Sequence, residues 1–443
     1  MTSLSNNSIW KLYVKNNNIY FLLLSTNCYS ESYNPNVSIE VKDFIEKEVA
    51  PIERESVTVN MDTDRLGDKV IISYTDKVKN IHTAEIYSEE SNGKLGEPIT
   101  LSNGNDIKPD LVAMNDDGDR VFISDGENGQ VNIYDFINGV WIQTDVILMG
   151  VNSPAITSLD INSTGTSLVV GSVTSQNATL YNYDQIADTW ISINTFYSDS
   201  PNQDASFGSS VAITASSDRV IVGDPKYDSY GAFFEFNQSN GNWSVNKVLG
   251  SNYWYNGTSL LPGSKFAESV SISDSGDRII VGAPGYSDYY NHPQGIAALF
   301  NKEANGDWIL QSFIKGSEYT AKNYCGINVD ISSNTNNYRA ITSCSYSHLF
   351  PSDIEILTHN SSYETLDPGA LSLYDVREAL LPEKPESLYY NDMYYSHFGD
   401  STVISKDGNM LFSVDYSDES MEDNAPTRLL LTRIKIIDID GEY

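Results

Sequence analysis

The chain has 443 residues, 40% of them apolar, which is enough for a sizeable core, and a closed all-β fold can hold that length as one unit. Sixty Asp and Glu against 27 Lys and Arg give a formal net charge of -33, which repels phosphate backbones and anionic bilayers and so argues against nucleic-acid and membrane partners. Three cysteines with no CxxC or Cys/His cluster exclude a structural zinc site, and no apolar run approaches the roughly 20 residues of a membrane helix.

In chain order, the first predicted element is a strand around Ile9-Trp10-Lys11-Leu12-Tyr13. The apolar run Ile19 to Leu24 is shorter than a signal-peptide core and has no small-residue cleavage site behind it, so a typical secretion signal is not expected. Residues 15–56 read as an irregular insertion, within which Val41 to Glu48 has the spacing of two helical turns.

A repeat then begins. Its clearest copy is Phe266-Ala-Glu-Ser-Val-Ser-Ile-Ser-Asp-Ser-Gly-Asp-Arg278 followed by Ile-Ile-Val-Gly-Ala-Pro-Gly285. Phe207-Gly-Ser-Ser-Val to Asp218-Arg219, then Val-Ile-Val-Gly-Asp-Pro225, nearly duplicates it. Each copy is an alternating strand, a tight polar turn and a continuously apolar strand, the pattern of a β-hairpin. Weaker copies surround Gly67, Gly118, Gly165, Asn337 and Gly408. The seven turn anchors lie roughly 50 to 70 residues apart, the length of a four-stranded propeller blade with loops.

A second device marks outer strands. Asn138-Gly139-Val140-Trp141, Asn240-Gly241-Asn242-Trp243 and Asn305-Gly306-Asp307-Trp308 turn the chain and start a strand with Trp; Asp188-Thr189-Trp190 is a looser version. In the sixth copy, Ser345 to Asp367 reads as an insertion, no Trp strand follows, and Asp375 to Leu381 reads as a short helix. The last copy also lacks a Trp strand after Arg428 to Ile439, and Trp10 precedes the first. The predicted fold is therefore an all-β, seven-bladed β-propeller of four-stranded antiparallel blades, closed by the N-terminal strand as outer strand of the last blade. Residues 1–14 form the closing strand, 15–56 the insertion and 57–439 the propeller.

Phe-Gly-Ser-Ser-Val with Asp-Arg-Val-Ile-Val-Gly-Asp-Pro, and Gly-Asp-Arg-Ile-Ile-Val-Gly-Ala-Pro-Gly, resemble FG-GAP repeats. That family includes the propeller of integrin α chains and bacterial, algal and viral surface proteins. The resemblance implies a surface or adhesive role, and it raises calcium, which integrin-type repeats bind in the first hairpin turn. Calcium wants 6–8 oxygens, and none of the turns Asp62–Arg65, Asn115–Asp119 and Asp274–Asp277 has Asp-x-Asp-x-Asp-Gly spacing. Ordinary Asp/Gly turns are expected, with Asn115–Asp119 the best calcium candidate; no metal ligand and no cofactor is assigned.

His82, His292, His348, His359 and His397 stand apart, and no Gly-x-Ser-x-Gly elbow or phosphate loop occurs. No catalytic residue is assigned. Loops leaving the second strands share one face with those entering new blades, and there Tyr and Trp suit recognition. The candidate binding residues are Asp224, Tyr227, Asp228 and Tyr230; Tyr253, Trp254 and Tyr255; Tyr286, Asp288, Tyr289, Tyr290 and His292; and Tyr346, His348 and Phe350. The expectation is a non-enzymatic interaction or structural protein with protein partners, such as a capsid-associated or outer virion component. The alternatives are a glycan-binding, lectin-like adhesion protein and an enzyme with an axial active site.

Overall fold

In a computed structural model the chain is an all-β propeller with four-stranded antiparallel blades. The structure describes residues 9–15, 18–24, 38–52, 57–76, 80–104, 107–126, 128–149, 155–199, 206–252, 254–255, 258–287, 295–314, 325–333, 337–344, 353–360, 370–372, 401–418 and 427–439.

Blade 1 holds strands Val57–Thr63, Lys69–Asp76, Ile81–Ser88 and Ile99–Ser102, and blade 2 holds Pro109–Met114, Arg120–Asp125, Gln130–Ile137 and Val140–Leu148. Blade 3 is built from Ser158–Ile161, Ser167–Ser172, Asn177–Asp184 and Thr189–Tyr197, blade 4 from Val211–Ile213, Arg219–Asp224, Ala232–Ser239 and Asn242–Leu249. Blade 5 comprises Val270–Ile272, Arg278–Ala283, Ile296–Lys302 and Trp308–Ile314; blade 6 comprises Cys325–Ile331, Asn337–Cys344, Asp353–Asn360 and Ala370–Ser372. A further, composite sheet runs Ile9–Lys15, Asn18–Leu24, Ser38–Ile52, Thr427–Ile439, Met410–Asp418, Ser401–Ile404.

The core lies between blades. Both faces of a second strand meet a neighbouring sheet, so Arg219–Asp224 and Arg278–Ala283 are buried along their length after the first residue. Apolar clusters join each adjacent pair from blade 1 to blade 6, and another joins blade 1 to Met410, Phe412, Leu429 and Leu431 of the composite sheet. The tryptophans that start outer strands reach back to the preceding blade: Trp190 meets Phe122 at 5.6 Å, Trp243 meets Phe196 at 5.0 Å, and Trp308 meets Phe233 at 6.2 Å.

The repeat signature has a contact behind it. A Cβ on Gly282, in the Val-Gly of blade 5, would stand 1.9 Å from the carbonyl oxygen of Gly326 in blade 6. Gly171 faces Gly208, and Gly223 faces Ala267, in the same way. The Val-Gly of one blade thus packs on the backbone of the Phe-Gly-type turn of the next, and the Val-Gly glycine tolerates no added bulk. A cation at the start of the second strand, or two residues into it in blade 6, adds a polar link to the next turn's carbonyl: Lys69 to Gly118 at 2.6 Å, Arg120 to Gly165 at 3.1 Å, Arg219 to Gly276 and Arg339 to Gly408. Blade 6 has no turn glycine, and Arg278 instead lies 4.2 Å over the Tyr338 ring.

Two expectations are corrected. Trp10 pairs with Leu23 at the far edge of the composite sheet, and the strand opposite Leu430 is Ser38–Ile52, through Glu48. Val41 to Glu48 lies within that strand rather than a helix. Its ladder has register shifts between Val41 and Phe44 and between Glu48 and Ala50, and such bulges break the period-2 alternation that would have revealed a strand. Cys325 is disulfide-bonded, and its direct Cα partner is Cys344. The expected insertion of blade 6 contains its third strand, Asp353–Asn360; the predicted helix at Asp375 to Leu381 lies outside the described residues.

Candidate functional site

The innermost strands stand side by side around the axis, Val57–Thr63 beside Pro109–Met114 and so on, with Ser401–Ile404 beside both Cys325–Ile331 and Val57–Thr63. They enclose a cavity of about 270 Å³ lined from every blade and from the composite sheet. Each such strand turns an unpaired backbone edge to the cavity, and buried amides need acceptors.

Three carboxylates supply them in one repeated geometry. Asp62 accepts from its neighbour Thr63 N at 2.8 Å and from Met114 N of blade 2 at 2.7 Å. Asp160 does the same with Ile161 N at 2.9 Å and Ile213 N of blade 4 at 2.8 Å. Asp330 takes Ile331 N at 2.8 Å, Ile404 N at 3.0 Å and the Ser271 hydroxyl at 2.8 Å. Aligned on the amides that close the hairpins (Asp64, Asn115, Asn162, Thr214, Ser273, Ser332, Ser405), this level of the wall reads Asp62, Ala113, Asp160, Ala212, Ser271, Asp330, Val403. The residue following each aspartate around the ring is uncharged and compact, which leaves room for the carboxylate to cross to the next strand.

One level along the axis, the turns are tied around the mouth, with blade 3 linked to blade 4 by Asn162 Nδ2 donating to Ala215 O at 3.5 Å. Arg65 N donates to Asp116 O at 3.0 Å, Asp116 N to Ser163 O at 2.9 Å, and Ala215 N to Asp274 O at 3.2 Å. Asp274 N donates to Ser333 Oγ at 2.9 Å, Ser333 N to Lys406 O at 2.7 Å, and Asp407 N to Arg65 O at 3.1 Å. Across this mouth the Arg65 guanidinium binds Asp116 of blade 2 and, at 2.6 Å, Asp274 of blade 5.

Burial raises the Asp62 carboxyl to about 7 and Asp160 to about 6 from an ordinary 3.8, against the opposing field of Lys406 and their amide hydrogen bonds. Burial lowers the Lys406 ammonium, but Asp330, Asp160, Asp274 and Asp62 outweigh it and hold the group above its usual range. These side chains are half-buried and open to the cavity, so water tempers both effects. Chemically, the aspartates act as bridges between strands, and Lys406 offsets their charge.

The candidate binding residues fare differently. Asp224 is fully buried, with Oδ1 accepting from Ser206 N at 2.9 Å, and Tyr286 is 2% exposed within the core of blades 4 and 5; both hold the loops in place. Half-buried Tyr227 is bound to Lys247 Nζ at 2.6 Å and Asp199 at 3.0 Å, beneath a cation 4.6 Å from its ring. Tyr230 is half-buried and its carbonyl accepts from Phe266 N at 3.1 Å, while Asp228 is exposed at φ 48°. Trp254 and Tyr255 form a two-residue strand paired with Thr258–Ser259. Tyr253, Asp288, Tyr289, Tyr290, His292, Tyr346, His348 and Phe350 lie outside the described residues.

In the turn weighed for calcium, Asn115 Oδ1 accepts from Asp119 N and Arg120 N, and Asn115 Nδ2 donates to Asp119. Among the described residues, no group of three or more His, Cys, Asp or Glu could hold a metal ion. The convergence of the axial aspartates and Lys406 escaped the sequence reading because each sits in a different repeat. Column-wise alignment of the seven hairpins would have exposed their shared position.

No family model matches the sequence, and no curated protein matches it. Similar solved structures include Kuenenia stuttgartiensis hydrazine synthase, at 10% identity over 86% of this chain and 95% of that one, TM-score 0.49. The Myceliophteria thermophila Cps50 (Swd1) β-propeller domain is 11% identical over 88% of this chain and 100% of that one, also at 0.49. A putative 6-phosphogluconolactonase from Bacteroides uniformis is 10% identical over 80% and 92%, again at 0.49. Likeness at this level carries no argument about what the chain does.

Proposed function

We propose that this chain is a non-enzymatic interaction protein, a seven-bladed disc of FG-GAP-like repeats that meets other macromolecules through its rim and loop face. The composite sheet is its seventh blade, since it hydrogen-bonds at the mouth to blade 6 on one side and blade 1 on the other. The N-terminal strand Ser38–Ile52 then covers the C-terminal strand Thr427–Ile439.

The observation that carries the reading is the rim. The fourth strands of the six blades contain one acid, Asp145, and one base, Lys247, in a chain that is 20% charged. They expose Ile99, Val140, Ile142, Val146, Leu148, Ile191, Ile193, Val245 and Ile309. Sheet edges are ordinarily guarded by charge or proline, and exposed apolar rows on a soluble disc mark contact surfaces. The axial acids favour the same reading, because both oxygens of Asp62, Asp160 and Asp330 are engaged by strand amides.

A particle-bound structural role, such as an outer virion component, fits a rim suited to packing beside other proteins. Co-purification from the native source tests it: stoichiometric structural partners are expected, and a chain recovered alone from intact particles or cells would overturn the reading. The glycan-binding alternative draws on the Trp254–Tyr255 ladder, which stands apart from the blade sheets. Glycan-array binding abolished by Trp254→Ala would favour it.

A further inference from the structure

We propose that the disulfide joining Cys325 to Cys344 is a redox-sensitive clamp on the seam between blades 5 and 6, standing where the repeat elsewhere uses a buried phenylalanine. The positions correspond residue by residue. Cys325 bridges in parallel to Gly295 of blade 5, as Phe266 bridges to Gly231 of blade 4. Each precedes a left-handed residue, Gly326 at φ 88° and Ala267 at φ 70°. The Gly326 carbonyl stands against Gly282 and accepts from Ser269 Oγ at 2.8 Å; the Ala267 carbonyl stands against Gly223 and accepts from Ser210 Oγ at 3.1 Å. On the second strand, Cys344 lies two residues beyond Thr342, the partner of Val329, as Ala283 lies two beyond Val281, the partner of Val270.

In blades 4 and 5 an aromatic ring anchors this point. Phe266 is fully buried, with its ring 6.1 Å from Phe233 and 6.2 Å from Phe300, inside the core that blades 4 and 5 share. Phe207 does the same for blade 4, 5.2 Å from Phe234. Cys325 is just as buried but much smaller, and the cluster of blades 5 and 6 takes no ring from this position. The second strand is weaker here too. Val281-Gly282 of blade 5 is replaced by Thr342-Ser343, and the Ser343 hydroxyl is buried without a hydrogen-bond partner, a penalty that Val-Gly avoids. The ladder also skips Gly326 and Ile327, which leaves Cys325 and Cys344 as a single pair beyond the bulge. A covalent bond holds that pair.

Reduction by a dithiol breaks the sulfur–sulfur bond. Two electrons and two protons leave a thiol on each cysteine, and the dithiol closes into its own disulfide. The remaining pair has neither the cross-link nor the ring, so the Gly326 carbonyl loses its support against Gly282 and Ser269. Blade 6 then loosens at this end. Blades 4 and 5 keep their anchors, because Phe207 and Phe266 are indifferent to a reductant.

Hydrogen exchange of the full chain, oxidised and after dithiothreitol, tests the clamp, with free thiols counted by alkylation and mass. In the reduced chain, amides of Cys325–Ile331 and Asn337–Cys344 should exchange about tenfold faster or more, while Arg120–Asp125 of blade 2 keeps its rate. Cys325→Ser combined with Cys344→Ser should reproduce the reduced chain. Cys325→Phe combined with Cys344→Ala restores the pattern of blade 5, and should exchange more slowly in blade 6 than the serine pair, with or without dithiothreitol. Cys28→Ser should respond to dithiothreitol as the parent does. Three free thiols before reduction, unchanged exchange once the thiols appear, or equal acceleration in blades 2 and 6 would overturn the clamp. So would a Phe/Ala variant that exchanges as fast as the serine pair.

Discussion

Ser217 occupies a left-handed turn, φ 60°, where the other described hairpins place Gly67, Gly118, Gly165, Gly276 and Gly408 at φ 62° to 80°. A side chain there is strained, and the Ser217 hydroxyl is buried with no hydrogen-bond partner. Ser217→Gly should therefore stabilise the fold by about 1 kcal/mol, seen as a higher denaturant midpoint at unchanged slope; an equal or lower midpoint would refute the strain argument. Asp62 gives the residue scale its pH dependence. Its folded carboxyl titrates near 7 against an ordinary 3.8, so between these values the folded state holds a proton that the unfolded state has lost. Stability from this group is complete below about 3.8 and is lost as pH rises through about 7. Asp160 adds the same sense up to about 6. Self-repulsion of the acidic surface follows the same direction, so the diagnostic is a difference: Asp62→Asn should flatten the fall in melting temperature between pH 5 and 8. Parallel profiles would show that the cavity solvates Asp62 fully.

At the scale of elements, the outer strand of blade 5 shows what Trp contributes. Trp308 is 5% exposed, packs on Phe233 of blade 4, and donates Nε1–H to the fully buried Glu235 at 3.0 Å. Glu235 also binds Lys302 and, at 3.1 Å, Arg219, so the indole closes a charged pocket as well as an apolar one. Trp308→Ala should cost about 3–5 kcal/mol, while Trp308→Phe keeps most packing and loses the N–H, for about 1–2 kcal/mol; equal losses in chemical denaturation would contradict this division. These strands were legible because Asn-Gly turns and Trp are local signals. The hairpins were legible because Gly282 and Gly326 must touch across blades, which forces recognisable dipeptides. Ser38–Ile52 was not, since its bulges give Val41, Phe44, Ile45 and Glu48 a helix-like spacing. Trp10 misled for a related reason: it looks like the other outer-strand tryptophans, but the strand that meets Leu430 carries none. The axial site was illegible because its charges belong to separate repeats and converge only on folding.

For the whole molecule, the question is how a ring of sheets keeps its ends together. The polypeptide returns to its start along Thr427–Ile439, which lies between Met410–Asp418 and Ser38–Ile52. Leu429, Leu431, Ile434 and Ile436 are fully buried there, and Arg433 reaches blade 1 at Glu89, 2.8 Å, and the Gly93 carbonyl. If Ser38–Ile52 covers an otherwise open edge, deleting residues 1–52 strips the backbone partners of Thr427–Ile439 along one side and leaves its apolar faces against blade 1. The remainder should still fold, because the deleted strands touch the inter-blade clusters through Val49 alone, at the cluster of blade 1 and the composite sheet, and do not enter the turn hydrogen bonds around the mouth. Its weakness should be local: amides of residues 427–439 that pair with Ser38–Ile52 exchange with solvent faster, by orders of magnitude, than in the parent, while Arg278–Ala283 keeps its protection. Uniform loss of protection would instead mean that the N-terminal strands belong to the cooperative core of every blade. Unchanged protection at 427–439 would mean that the covering strand contributes nothing to closure.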